Sequence, residues 1–161
     1  MAATRQIGDT TFTMPSDREI VITRVLNAPR RTVFEALTGP QHVPRWFGPK
    51  GWTLPVCQID LRPGGTWRFV GRGPEGREMG MRGVYAEITP PERFVTTESF
   101  DDYPGESLNS VVLSEVDGKT RITTTILYPS REVRDAVLGS GMPDGAAQTY
   151  DRLAEYVQTM A

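Results

Sequence analysis

Apolar and polar residues alternate with a period of two along most of this chain, with short helical patterns between residues 29 and 47 and a return to the period of an α-helix beyond residue 130. From Glu19–Leu26 the density of β-branched residues predicts a strand, which Asn27-Ala28-Pro29 ends. The same proline opens a short helix, because its ring is tolerated in a first turn, and Val33, Phe34 and Leu37 form the apolar face of that helix. A second short helix is expected after Gly39-Pro40, around Val43, Trp46 and Phe47, with Gly48-Pro49 closing it. Strand patterns then cover 52–61, Thr66–Arg72, 78–88, Arg93–Phe100, 110–116 and 120–128. Turns at Arg62-Pro63-Gly64-Gly65, Gly73-Pro74-Glu75-Gly76 and Pro90-Pro91 separate them, with a loop over 101–107. Asp117-Gly118-Lys119 joins the last two strands into the plainest hairpin of the chain.

Arg131–Leu138 has a short helical pattern, and Gly139-Ser140-Gly141 divides it from a longer one. In that longer piece Met142, Ala146, Tyr150, Leu153, Val157 and Met160 fall on one stripe, so the helix must cover something apolar. This order predicts an α+β domain in which a curved antiparallel sheet of about six to seven strands surrounds a long C-terminal helix. Residues 1–16 are polar and end in Pro15-Ser16, so a flexible leader is expected there, with one domain over 17–161.

Composition narrows the function classes. Eighteen Lys and Arg against twenty Asp and Glu give a net charge of −2, which lacks the basic excess that attracts nucleic acid or anionic lipid. No apolar run has the length of a membrane span or of a signal peptide, and Cys57 stands alone, so a cytoplasmic protein without disulfides or membrane insertion is expected. His42 is the single histidine, which excludes a multi-histidine metal site, and no metal or cofactor is expected.

Few residues point to chemistry. Gly71, Gly73 and Gly76 have dinucleotide-motif spacing, but Pro74 interrupts them and a strand follows instead of a helix, so they are expected to form a hairpin turn. His42 is read as an exposed residue and Cys57 as a small apolar one. Arg68 and Arg82 lie in alternating strands as outward charges or as anion clamps. Glu98 shares a strand face with Phe94, Thr96 and Phe100, so it is either solvated near a sheet edge or a buried carboxyl with a raised pKa. Trp46, Trp52, Trp67, Phe69, Met79, Met81 and Tyr150 supply apolar surface for a core or for a pocket wall.

Six segments carry a resemblance: Arg24-Val25-Leu26-Asn27-Ala28-Pro29, Trp46-Phe47-Gly48-Pro49-Lys50-Gly51, Asp60-Leu61-Arg62-Pro63-Gly64-Gly65, Gly83-Val84-Tyr85, Pro90-Pro91-Glu92-Arg93 and Tyr150-Asp151-Arg152-Leu153. In order and spacing they resemble bacterial proteins of the activator of heat-shock protein 90 ATPase homologue type, of the START-like, SRPBCC superfamily. The resemblance covers about residues 17–160 and implies the helix-grip fold. It also implies one of three roles, because the superfamily includes hydrophobic-ligand carriers, polyketide cyclases and a eukaryotic co-chaperone. That co-chaperone has an additional N-terminal domain, for which this chain offers only the leader. Similar proteins often have tryptophan where Ala146 stands and aromatic residues at Thr96 and Glu98, which implies a roomier, partly polar cavity here.

The leading expectation is therefore a non-enzymatic binder of a small apolar molecule. Its ligand would lie between Met142, Ala146, Tyr150 and Leu153 of the helix and Trp67, Phe69, Met81 and Phe100 of the sheet, with specificity from Glu98 and Tyr85. The alternatives are a cyclase- or hydrolase-like enzyme with Glu98 as acid or base, and a chaperone-associated module. A monomer, or a homodimer through a sheet edge, is expected.

Overall fold

The computed structural model describes residues 3–160. Nine strands among these residues form one antiparallel sheet: β1 (Ala3–Ile7), β2 (Thr10–Met14), β3 (Glu19–Leu26), β4 (Thr53–Ile59), β5 (Thr66–Arg72), β6 (Glu78–Thr89), β7 (Arg93–Phe100), β8 (Ser107–Val116) and β9 (Lys119–Leu127). Their spatial order is β1-β2-β3-β9-β8-β7-β6-β5-β4, so β3 pairs with the last strand and the chain closes on itself around that pairing. Helix α1 (Arg30–Thr38) follows β3, α2 (Arg131–Leu138) and α3 (Met142–Thr159) end the chain, and α3 lies across the sheet's inner face. No helix among the described residues is long and apolar enough to cross a membrane.

Over residues 3–14 the expected leader is instead a β-hairpin, and its first two residues lie outside the described ones. Gly8 turns it with a φ of 56°, a conformation that costs glycine nothing, and Phe12 then pairs with Ile22 on β3. Phe12 is fully buried in a cluster with Ile20, Ile22, Ile126, Tyr128 and Ala147, with Ile7 and Met14 packed beside it. The sheet consequently has two more strands than its expected upper count. The second short helix is reduced to one 3-10 turn, Val43–Arg45, because Pro44 has no amide hydrogen to continue a ladder.

The stripe of α3 is displaced in its first turns. Pro143 and Ala147 are buried there, whereas Met142 and Ala146 are only partly covered. Small residues face β1, β2 and β3 because α3 passes close to these strands, and Leu153 and Val157 carry the buried stripe onward. Met142 and Ala146 pack, partly covered, against the same cluster as Val133, Val137 and Leu138 of α2.

Two arginines fasten this helix. Arg24, buried on β3, donates from Nη1 to Asp151 Oδ1 at 2.5 Å and to Thr10 Oγ1 at 3.2 Å. Arg152 Nη1 lies within hydrogen-bond reach of the Phe47, Gly48, Pro49 and Trp52 carbonyls, at 2.8 to 3.4 Å. Both ties join sequence-distant segments with charge-assisted bonds, which are stronger than neutral ones.

Candidate functional site

Strand register decides which side chains face α3. Tyr85, Thr96, Asn109, Ile126 and Ile20 form one cross-strand row, and Ile88, Phe94, Val111, Thr124, Ile22 and Phe12 form the next. Trp67 pairs with Gly83, Phe69 with Met81, Met81 with Phe100, and Glu98 with Ser107. The inner face is thus a cup whose two ends differ.

One end is packed solid. Trp67 stacks at 4.8 Å on Phe69, which meets Phe47 at 5.1 Å, and Tyr85 meets Phe94 edge-on at 6.1 Å. Trp67 Nε1 donates to Thr96 Oγ1 at 2.6 Å, giving the buried indole the partner it requires. Trp67, Phe69, Tyr85 and Leu153 are all buried in this cluster, so these expected ligand contacts are core residues that form the floor of the cup.

The other end is open. Met79, Met81, Glu98, Phe100, Asn109, Met142, Ala146 and Tyr150 are each only partly covered. Here polar groups meet: Tyr150 Oη lies 3.0 Å from Thr124 Oγ1, and Ser107 Oγ donates to Asn109 Oδ1 at 3.1 Å. Burial pushes the Glu98 carboxyl up from 4.5 to about 7, with the Asn109 amide opposing the shift. The Tyr150 phenol is also raised by burial, opposed by its Thr124 bond and reinforced by the Glu98 charge, and Tyr128 is raised by burial and by Glu98. Glu98 and these two phenols therefore share one electrostatic environment.

A measurable pH dependence follows. Because the native value of Glu98 is above 4.5, the folded state holds its proton more tightly than the unfolded state does. The stabilisation is complete below that value and is lost as pH rises towards about 7. Allowing for partial exposure, the wild type is expected to lose about 2 kcal/mol across this window relative to Glu98→Gln. Urea denaturation of both proteins at several pH values measures it, and parallel profiles would remove the burial argument.

The family-wide comparison fits this architecture. Residues 27–158 match the family described as activator of Hsp90 ATPase homolog 1-like protein. The chain belongs to this family. Similar solved structures include a protein from Rhodobacter sphaeroides, at 29% identity and a TM-score of 0.86, over 93% of this chain and 99% of that one. A protein from Nitrosomonas europaea follows at 25% identity and 0.82, covering 91% and 98% of the respective chains. A protein from Silicibacter pomeroyi shares the fold, at 19% identity and 0.74, over 89% of this chain and 99% of that one. None of the curated proteins matches.

The other residues singled out in the sequence make local contacts. His42 is half-buried, its Nδ1 2.7 Å from Tyr156 Oη. The Cys57 thiol is pushed up to about 11 by burial, which keeps it protonated and unreactive at neutral pH. Arg68 and Arg82 both turn outward and grip Asp101, at 2.6 to 2.7 Å. The Arg68 bond holds the Asp101 carboxyl below its ordinary range. Gly71 and Gly73 lie beneath the Trp52 ring at the β5–β6 turn, where a side chain would collide with the indole, so the glycine spacing serves a turn and a ring. No group of three or more His, Cys, Asp or Glu among the described residues is placed to hold a metal ion.

Two surface grooves lie outside the cup. One of about 280 Å³ runs between Arg18, Thr97, Leu108 and Tyr128, and one of about 520 Å³ between Lys50, Trp52, Gln148 and Arg152. None of the residues expected to hold a ligand lines either groove. The sequence reading also passed over Asn109 and Tyr128, whose polarity matters only once the fold brings them beside Glu98, and Thr124, which bonds the Tyr150 hydroxyl.

Proposed function

We propose that this protein binds a small, mostly apolar molecule at the open end of the cup, between α3 and the sheet. The ligand's apolar body would lie against Met81, Phe100, Met142 and Ala146, with Glu98 and Tyr150 selecting its polar end; Trp67, Phe69, Tyr85 and Leu153 would form the floor. One observation carries this reading: inward-facing apolar side chains are buried at one end of the cup and left partly exposed at the other. Apolar surface left facing water inside a concavity is the usual mark of a ligand site. Methionines at 79, 81 and 142 suit the role, since their flexible, polarisable side chains repack around guests of different shape.

Substituting Ala146→Trp places an indole in the opening without touching the buried stripe. The expected result is that native mass spectrometry of protein from its own cells shows an extra mass on the wild type and none on the variant, with identical circular dichroism. An unchanged bound mass or affinity in the variant overturns the site.

The Glu98 carboxyl beside Tyr150 favours a second reading, in which the same cup catalyses acid–base chemistry. Turnover of a bound molecule that Glu98→Gln abolishes would select it over simple binding. The family's description raises the chaperone-partner reading, which stands or falls on whether this protein speeds ATP hydrolysis by a heat-shock protein 90 homologue.

A further inference from the structure

We infer that the ligand of the open cup carries a positive charge, a protonated or quaternary amine on an apolar body, seated against Glu98. The inference rests on the proposed binding site and adds the chemical class of its occupant. By register, strands β4 to β9 turn two charged side chains to the inner face among the described residues, Glu98 and Glu115, and Glu115 lies exposed at the far end of β8, 4.0 Å from Arg30 of α1. Glu98 takes part in no ion pair among the described residues, whereas Arg24, the charged inward residue of β3, is already matched by Asp151.

The groups around Glu98 do not neutralise it. Tyr150 of α3 and Tyr128 after β9 are phenols held protonated, and Asn109 of β8 is an amide that already receives the Ser107 hydroxyl. The nearest cations in sequence to these elements are committed elsewhere. Arg18 donates to the Tyr128 carbonyl at 2.9 Å, and Arg134 of α2 to the Ser16 carbonyl at 2.7 Å and to Asp135. A carboxylate in an apolar cup without a counter-ion is costly, and a ligand cation offsets that cost directly.

The rim strengthens the argument. Loop 101–106 joins β7 to β8 beside Phe100, and its Asp102 and Glu106 are exposed and take part in no ion pair among the described residues. Tyr103 of this loop meets Phe100 edge-on at 6.5 Å. Acidic groups at the entrance attract cations, and aromatic faces beside a carboxylate accept a quaternary or protonated amine well.

The test compares three ten-carbon amphiphiles that share a tail: decyltrimethylammonium, decyl sulfate and decanol, each below its micelle concentration. Calorimetry and tryptophan fluorescence at pH 8 are expected to give the ammonium an affinity at least about tenfold above the other two. Glu98→Gln should abolish this preference and retain decanol binding, and Ala146→Trp should abolish binding of all three. Lowering the pH of the wild type to 5.5 protonates Glu98 and should shrink the ammonium-to-decanol ratio, a readout that survives if the glutamine variant fails to fold. Equal binding of the three amphiphiles, or preference for the sulfate, overturns the charge assignment while the binding site stands. Failure of all three to bind overturns both.

Discussion

Gly83→Ala is expected to destabilise the protein by about 3–4 kcal/mol, among the largest effects of a single methyl group added to this fold. Gly83 faces inward on β6 directly opposite Trp67, and a Cβ there falls onto the Thr97 carbonyl oxygen and into the Trp67 indole. Neither obstacle can yield cheaply. The carbonyl belongs to the β7 backbone, and the indole is fixed by its bond to Thr96 and by its stack on Phe69. Overpacking of a core costs about 1–3 kcal/mol, and displacing Trp67 adds a lost buried hydrogen bond of about 1 kcal/mol or more. Gly141→Ala is the control, since nothing lies within 4 Å of a Cβ there and its φ is −74°. Urea midpoints are expected to fall sharply for the first variant and to stay within about 1 kcal/mol of wild type for the second. A Gly83→Ala protein as stable as the control would mean that the indole does not lie over this glycine.

Gly83 also shows where sequence reading reaches its limit. Period-two alternation located β3 and the strands from β4 to β9 within a few residues, because one face of each packs on a core and the other meets solvent. It began β8 at residue 110 rather than at Ser107, since Ser107 and Asn109 are polar yet face inward, opposite Glu98 and Thr96. The alternation therefore disappears where the candidate site is built. The hairpin of β1 and β2 was missed for a related reason. Thr10, Phe12 and Met14 do alternate, but one phenylalanine among threonines does not reveal that Ile22 and Tyr128 wait to cover it.

The phase of α3 was ambiguous in the same physical sense. Met142 and Pro143, and likewise Ala146 and Ala147, are adjacent small or apolar pairs, so two stripes fit the sequence equally well in the first turns. Close approach to β1, β2 and β3 selects the pair with Pro143 and Ala147. Glu98 was placed on the inner face from alternation alone, and the register agrees. Its neighbours Asn109 and Tyr128 lie 11 and 30 residues further along the chain, and no local pattern links them to it.

Arg152→Ala is expected to destabilise the protein by about 3 kcal/mol and to lower its Tm by roughly 6–12 °C. The side chain leaves α3 and offers the hydrogens of Nη1 to the carbonyls of Phe47, Gly48, Pro49 and Trp52, which curl around it. Gly48 and Gly51 permit that curl, with φ of 100° and 88° that other residues reach only with strain. Truncation leaves several carbonyl dipoles converging on an empty space, each needing water that the half-buried site supplies incompletely. Arg152→Lys should recover less than half of the loss, since a single ammonium on a flexible stem cannot reproduce the planar guanidinium at this spacing. Loosening of segment 47–52 also releases Phe47 from Phe69, so the floor of the cup becomes more mobile. Hydrogen exchange should rise over 47–54 in the alanine variant while β8 and β9 stay protected, whereas a uniform rise across the chain would show that Arg152 stabilises the fold globally instead of pinning this segment.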